Sequence, residues 1–120
     1  SKRTIKRDVK EALELVNLAD KMKCYPNEIS GGESQRVSIA RAIVNKAPCV
    51  VCDEPTGNLD ENTAWEIMQA LKNINDEGTT VIMATHAANI VDKFNKRVVA
   101  LKDGHIVSDV KEGGYYYENY

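Results

Sequence analysis

The sequence predicts an α/β fold in which parallel strands are layered with helices, after a helical opening and before a closing β-hairpin. Three observations point there. In the middle of the chain, apolar residues switch twice from helical spacing to short β-branched runs, the alternation that builds parallel sheets. Ahead of the first such run, Val9, Ala12, Leu13 and Val16 fall at i, i+3, i+4 and i+7, an amphipathic stripe. Near the end, Asp103-Gly104 separates two strand-like runs, a strong hairpin signal.

Taken in order, the opening helix is expected over 4–18. Cys24-Tyr25-Pro26-Asn27 breaks it, and Ser30-Gly31-Gly32 makes a second break. A second helix is expected over 33–46, with Val37, Ala40, Ile43 and Val44 on one side and Pro48 at or beyond its end. Cys49-Val50-Val51-Cys52 is a continuous apolar run, the pattern of a strand covered on both faces. A long helix over 62–76 carries Ala64, Ile67, Met68, Leu71 and Ile74, with Gly78 as its C-terminal cap. The β-branched segment 79–84 reads as a second buried strand. A short helix bearing Ile90, Val91 and Phe94 follows, then hairpin strands over 97–101 and 105–110, and an irregular tyrosine-rich tail over 113–120.

Composition bounds the function. With 120 residues, 42% hydrophobic and 28% charged, the chain has room for one core and is not of the disordered class. Sixteen Lys+Arg against eighteen Asp+Glu leave a net charge of −2, without the basic excess of a nucleic-acid binder, so no nucleic-acid partner is expected. No apolar run is long enough to span a membrane, and no signal peptide opens the chain. Three cysteines suit a reducing compartment better than a disulfide framework. A soluble, cytoplasmic domain is the expectation.

Three short segments carry candidate chemistry. Asp53-Glu54 stands at the end of the first buried strand, where open α/β sheets bind ligands. One carboxylate there can hold hydrated Mg²⁺, and its neighbour can take a proton from an attacking water. The plainer reading of the same acids is a helix N-cap. Ser30-Gly31-Gly32 opens a helix, and the free N–H groups, the helix dipole and the serine hydroxyl form an anion site. The same tripeptide also makes a good turn and cap. His86, after the second strand, can reach a phosphate or a water, although a lone histidine is more often structural.

The order of these segments adds what none carries alone. Ile29-Ser30-Gly31-Gly32-Glu33-Ser34-Gln35-Arg36-Val37, then Asp53-Glu54-Pro55-Thr56-Gly57-Asn58-Leu59-Asp60, then Ala84-Thr85-His86 resembles the nucleotide-binding domain of the ATP-binding cassette (ABC) family. The resemblance runs from the first helix to the final hairpin. It implies a partial P-loop NTPase (RecA-like) core, part of the ABC helical subdomain and ATP with Mg²⁺ as ligands. Ser30, Gly31, Gly32 and Glu33 match the signature loop, which contacts ATP held by the opposite subunit. Asp53 matches the Walker B aspartate at Mg²⁺, Glu54 the catalytic base, and Asn58, Leu59 and Asp60 the D-loop. His86 matches the switch histidine. The implied partners are a second nucleotide-binding subunit, forming a homodimer, and an integral membrane subunit, with the chain at the inner face of the membrane. Ser-Gly-Gly-Glu together with 81–86 and 95–104 resembles most the cell-division branch of the family, with an export branch as the alternative.

By the same resemblance, 1–47 belongs to the helical subdomain, 48–112 to the C-terminal part of the RecA-like core, and 113–120 is a tail. No Gly-x-x-x-x-Gly-Lys-Ser/Thr is present, nor an adenine-stacking segment or Q-loop, so the chain is expected to be the C-terminal half of such a domain and inactive alone. Unpaired strand edges near 79–84 and 97–101 are then expected, with self-association or remodelling to follow. A non-hydrolytic dimerisation or docking fragment stays open. A DNA-repair ATPase of the same superfamily is weakened by the lack of heptads before the signature. Cys49 and Cys52 read as packing, since strand residues three apart face opposite sides. Lys2, Arg3, Lys6, Arg7 and Lys10 read as a solvated helix face, and Trp65 and Met68 as core or interface.

Overall fold

Side-chain caps start each of the three long helices. The computed structural model describes residues 1–112, so the expected tail over 113–120 lies outside the described residues. Helix α1 (Lys2–Leu15) begins where the Ser1 hydroxyl accepts from the Thr4 N–H at 3.2 Å. Helix α2 (Gly31–Ile43) begins at the Ser30 cap, and α3 (Glu61–Asp76) at the Asp60 cap. Single 3-10 turns at Ala19–Lys21 and Pro26–Glu28 connect α1 to α2. Strand β1 (Cys49–Asp53) precedes α3, and β2 (Thr80–Ala84) follows it. Helix α4 (Ala88–Phe94) and strands β3 (Val98–Lys102) and β4 (His105–Val110) complete the order. The chain divides into two compact units, Ser1–Thr85 and a second from His86 onward.

In the first unit, α3 supplies the centre of the core. Ile67, Met68, Ala70, Leu71 and Ile74 are all buried at helical spacing. Ala12, Leu13 and Val16 from α1 and its cap, Ile39, Ala40 and Ile43 from α2, and Val50 from β1 are buried as well. Arg36 of α2 is buried among them. Its guanidinium donates to the Val16 carbonyl of the α1 cap at 3.1 Å and lies 3.1 Å from the Glu66 carboxylate of α3, so one side chain joins three helices. The basic residues of α1 are exposed, with Arg7–Glu11 and Lys10–Glu14 pairs one turn apart.

Strands β1 and β2 pair in parallel, in register from Cys49↔Thr80 through Val51↔Ile82 to Asp53↔Ala84. The long helix α3 is the crossover that parallel pairing requires. The expectation that these strands are covered on both faces is not met. Val50 is buried, but Val51 is 73% exposed and its register partner Ile82 is 54% exposed. Because side chains alternate across a strand, the face bearing Val50 meets the helical core while the face bearing Val51 and Ile82 stays open. Trp65 of α3 is likewise 44% exposed.

The second unit holds α4 and the hairpin. Asp103 (φ 51°) and Gly104 (φ 78°) both take positive φ, the geometry of the tight turn that matches strand twist. β3 and β4 pair antiparallel with an irregularity between Ala100 and Leu101. Arg97 forks onto Asp109 at 2.9 and 2.7 Å, a bidentate but exposed pair of small energetic weight.

The contrast between the two faces of β1 and its helical layer is measurable. Ile67 is fully buried at 0% exposure, so Ile67→Ala should lower the unfolding free energy by about 2–5 kcal/mol in urea titration. Val51→Thr, on the open face, should shift it by no more than about 0.5 kcal/mol.

Candidate functional site

The parallel register brings the ends of β1 and β2 level, and the backbone turns sharply just after them. Asp53, the last residue of β1, is exposed. Glu54 follows with φ 45°, left-handed backbone that a non-glycine residue enters at a cost of roughly 1–2 kcal/mol. Three hydrogen bonds hold it there. Its N–H donates to the Ala84 carbonyl at 2.8 Å, and its carbonyl accepts from the Gly57 N–H at 3.1 Å. Its Oε2 accepts from the Thr85 hydroxyl at 3.1 Å. The buried ring of Pro55 and a turn through Asn58 (φ 63°) then lead to Asp60.

The start of α2 is a reciprocal cap. The Ser30 hydroxyl oxygen accepts from the Glu33 N–H at 3.1 Å, and Glu33 Oε1 accepts from the Ser30 N–H at 3.0 Å. Lys21 lies 3.9 Å from the other Glu33 oxygen. The Ser30 N–H, helped by Lys21, holds the Glu33 carboxyl below the usual carboxylate range. The carboxylate of Glu33 is thus committed to the cap. Since Ser30 Oγ accepts within the cap, its own proton is left to donate outward, beside the first-turn N–H groups of Gly31 and Gly32.

The two glycines differ. Around Gly31 there is open space for a side chain, whereas a Cβ on Gly32 would drive into Thr63 Cγ2. Thr63 cannot swing away freely, because its hydroxyl donates to Asp60 Oδ1 and its N–H donates to Asp60 Oδ2 at 3.2 Å. Those bonds, the hydroxyl first, hold Asp60 below the usual carboxylate range. The structure therefore joins Ser30–Glu33 to Asp60 through the Gly32–Thr63 contact, and separately joins Glu54 to the end of β2. His86 is exposed and opens the second unit.

Of the two acids proposed as a possible cap, neither serves as one; the cap of α3 is Asp60. Thr63, Thr85, Lys21 and Arg36 were not legible as site neighbours, although Asp60 followed three residues later by Thr63 is a capping spacing. Among the described residues no three or more His, Cys, Asp or Glu side chains gather around a metal-sized position. A lone exposed aspartate fits Mg²⁺, which takes one or two carboxylates together with substrate phosphates and water. Cys49 and Cys52 are free thiols three residues apart on opposite faces of β1, and burial pushes the Cys52 thiol up. A cleft of the first unit, about 410 Å³, lies at the opposite strand ends, bordered by Asp8, Glu11, Pro48, Gly78 and Thr79. It is far along the strands from Asp53 and Glu54, so the strand C-terminal edge is the better candidate on chemical grounds.

Comparison with known proteins fits this geometry. A family model described as ABC transporter matches residues 2–57. The cell division ATP-binding protein FtsE of Bacillus subtilis is 55% identical over 111 residues, covering 92% of this chain and 49% of that protein. FtsE of Streptococcus pneumoniae is 50% identical over 119 residues, covering 99% of this chain and 52% of that protein. The chain belongs to the ABC family. Among solved ABC structures, a dimeric ATP-binding cassette in a post-hydrolysis state bound to ADP and Pi is 40% identical, with a TM-score of 0.67 over 88% of this chain and 46% of that one. CbiO1 of Clostridium perfringens, part of the ABC transporter complex CbiONQ, gives a TM-score of 0.85 at 29% identity, over 92% of this chain and 45% of that one. This ABC chain spans about half the length of the curated relatives it matches.

Two outcomes follow for the first turn of α2. Gly32→Ala should destabilise the chain by about 1–3 kcal/mol through overpacking, while Gly31→Ala leaves stability unchanged or higher. Thr63→Ser, which removes Cγ2 but keeps the hydroxyl on Asp60, should recover most of the Gly32→Ala loss; denaturant titration of the four proteins checks this. The caps also set a pH response. Glu33 and Asp60 both have folded values below their ordinary 4.5 and 3.8, so each adds stability above the ordinary value. That contribution fades as pH falls through the depressed range. Helical circular dichroism should therefore drop on acidification below the ordinary values, and Glu33→Gln with Asp60→Asn should flatten the drop.

Proposed function

We propose that this chain is the C-terminal half of the ATP-hydrolysing subunit of an FtsE-type ABC complex. In this reading residues 1–47 belong to the helical subdomain and 48–112 to the catalytic core. The observation that carries it is the left-handed Glu54, set directly after Asp53 at the strand edge with its carboxylate fixed by hydrogen bonding. Non-glycine backbone strain of this kind persists where the surroundings over-determine it, and it clusters at functional sites.

The residues then take these roles. Asp53 holds Mg²⁺, which neutralises phosphate charge when bound. Glu54 accepts a proton from water as the water oxygen forms its bond to the γ-phosphorus. The bond from that phosphorus to the β,γ-bridging oxygen breaks, and the electron pair leaves with ADP. The Ser30 hydroxyl and the Gly31 and Gly32 N–H groups, at the positive end of α2, bind the γ-phosphate of ATP held by the opposite subunit. Glu33 shapes that loop through the Ser30 cap. Asp60 fixes the D-loop at the start of α3, and His86 bonds the γ-phosphate. Phosphoryl transfer asks mainly for such positioning and charge neutralisation.

The relatives are about twice as long as this chain, and in this reading a P-loop half encoded upstream supplies the rest of the site. The open face at Val51 and Ile82 supports this, because parallel sheets bury both faces. Two such subunits form a homodimer and act with an FtsX-like integral membrane subunit in cell division, peripheral on the inner face of the membrane. No described helix is long and apolar enough to cross a membrane. In isolation, the 120-residue chain does not hydrolyse ATP.

In the full-length protein, Glu54→Gln should lower ATP hydrolysis by about 100-fold or more, with ATP binding retained by equilibrium dialysis. Undiminished hydrolysis in that variant excludes Glu54 as the base, and the lack of any P-loop upstream in the gene excludes the half-site reading.

A further inference from the structure

We propose that Thr85 is a positioning residue for the Glu54 carboxylate, an inference that rests on Glu54 acting as the base. A glutamate on a left-handed backbone has three side-chain torsions to fix, and immobilising them opposes rotamer entropy. Something must select the rotamer. The Thr85 hydroxyl donates to Glu54 Oε2 at 3.1 Å.

The residue before Thr85 grips the same target. The Ala84 carbonyl accepts the Glu54 N–H at 2.8 Å, so consecutive residues at the end of β2 hold both the main chain and the carboxylate of Glu54. Because Ala84 is the in-register partner of Asp53, this clamp is the continuation of the strand ladder. Threonine is stiff at χ1, so the strand backbone fixes where its hydroxyl points. Serine lacks that stiffness but keeps the donor. Of the two carboxylate oxygens, Thr85 donates to Oε2. The hydroxyl keeps its proton throughout, and the proton that moves is the water's. Thr85 therefore sets the direction from which Glu54 meets its water, and it belongs to the same unit as Glu54.

The test uses steady-state ATP hydrolysis by the full-length protein. Thr85→Val keeps the shape and removes the donor, and it should lower kcat about 10-fold or more while KM for ATP stays within about twofold. Thr85→Ser should restore most of kcat. In the Glu54→Gln background, adding Thr85→Val should cause no further loss, because the two residues act as a unit. Thr85→Ala, scored the same way, covers the case in which valine is not accommodated. A kcat unchanged in both Thr85→Val and Thr85→Ala, or a full further loss on top of Glu54→Gln, overturns the clamp while leaving the base assignment intact. Hydrolysis that survives Glu54→Gln overturns the base assignment itself and the clamp with it.

Discussion

The parallel ladder between β1 and β2 is the constraint on which the rest of the first unit depends. Its five rungs end at Asp53↔Ala84, and Glu54 adds one more hydrogen bond to the Ala84 carbonyl. A slip of one residue would exchange the two faces of a strand, turning Val50 out and Val51 in. It would also carry Thr85 away from Glu54. Burial and site geometry are therefore fixed by the same register. Five rungs do not hold a two-stranded sheet by themselves. The crossover α3 does, by placing Ile67, Leu71 and Ile74 in the helical core.

Beyond its apolar core, the helical part is tied to this frame through specific contacts at Arg36 and at Gly32. Arg36 links the end of α1, the body of α2 and the side of α3. Its burial makes the link sensitive to removal, since taking away Glu66 would leave a buried guanidinium with one partner fewer. The Gly32–Thr63–Asp60 contact fixes the first turn of α2 against the first turn of α3. The two helix N-termini meet at one steric contact, Gly32 against Thr63, and the Thr63 hydroxyl holds Asp60. The Ser30 loop and the Asp60 loop are thus joined, although 30 and 60 are distant in sequence.

The sequence revealed the elements well because their periods differ. The spacing of Ile67, Met68, Leu71 and Ile74 marks α3, Asp103-Gly104 marks the turn, and Ser30 with Glu33 carries a cap that the structure makes reciprocal. Double coverage of β1 and β2 was misread from composition. An apolar run records what a strand is suited to meet, not what lies over it, and Val51 and Ile82 are open. Asp53, Glu54 and the Ser30 loop were legible as candidates from residue type and position. The distinct jobs of Gly31 and Gly32 were not, because only tertiary contact with Thr63 separates two adjacent glycines. Thr85 was hidden for a similar reason: its partner lies 31 residues earlier.

The backbone of Glu54 sets folding and chemistry against each other at a single position. A sequence optimised for stability alone would carry glycine there, gaining relief of the left-handed strain and losing the carboxylate. Variants recovered by selecting for thermal tolerance should accumulate at this turn and, under the proposed base role of Glu54, hydrolyse ATP more slowly in the full-length protein. The tight corner after β1 is accordingly a place where evolutionary pressure for function can be read from an energetic deficit, without reference to any bound ligand.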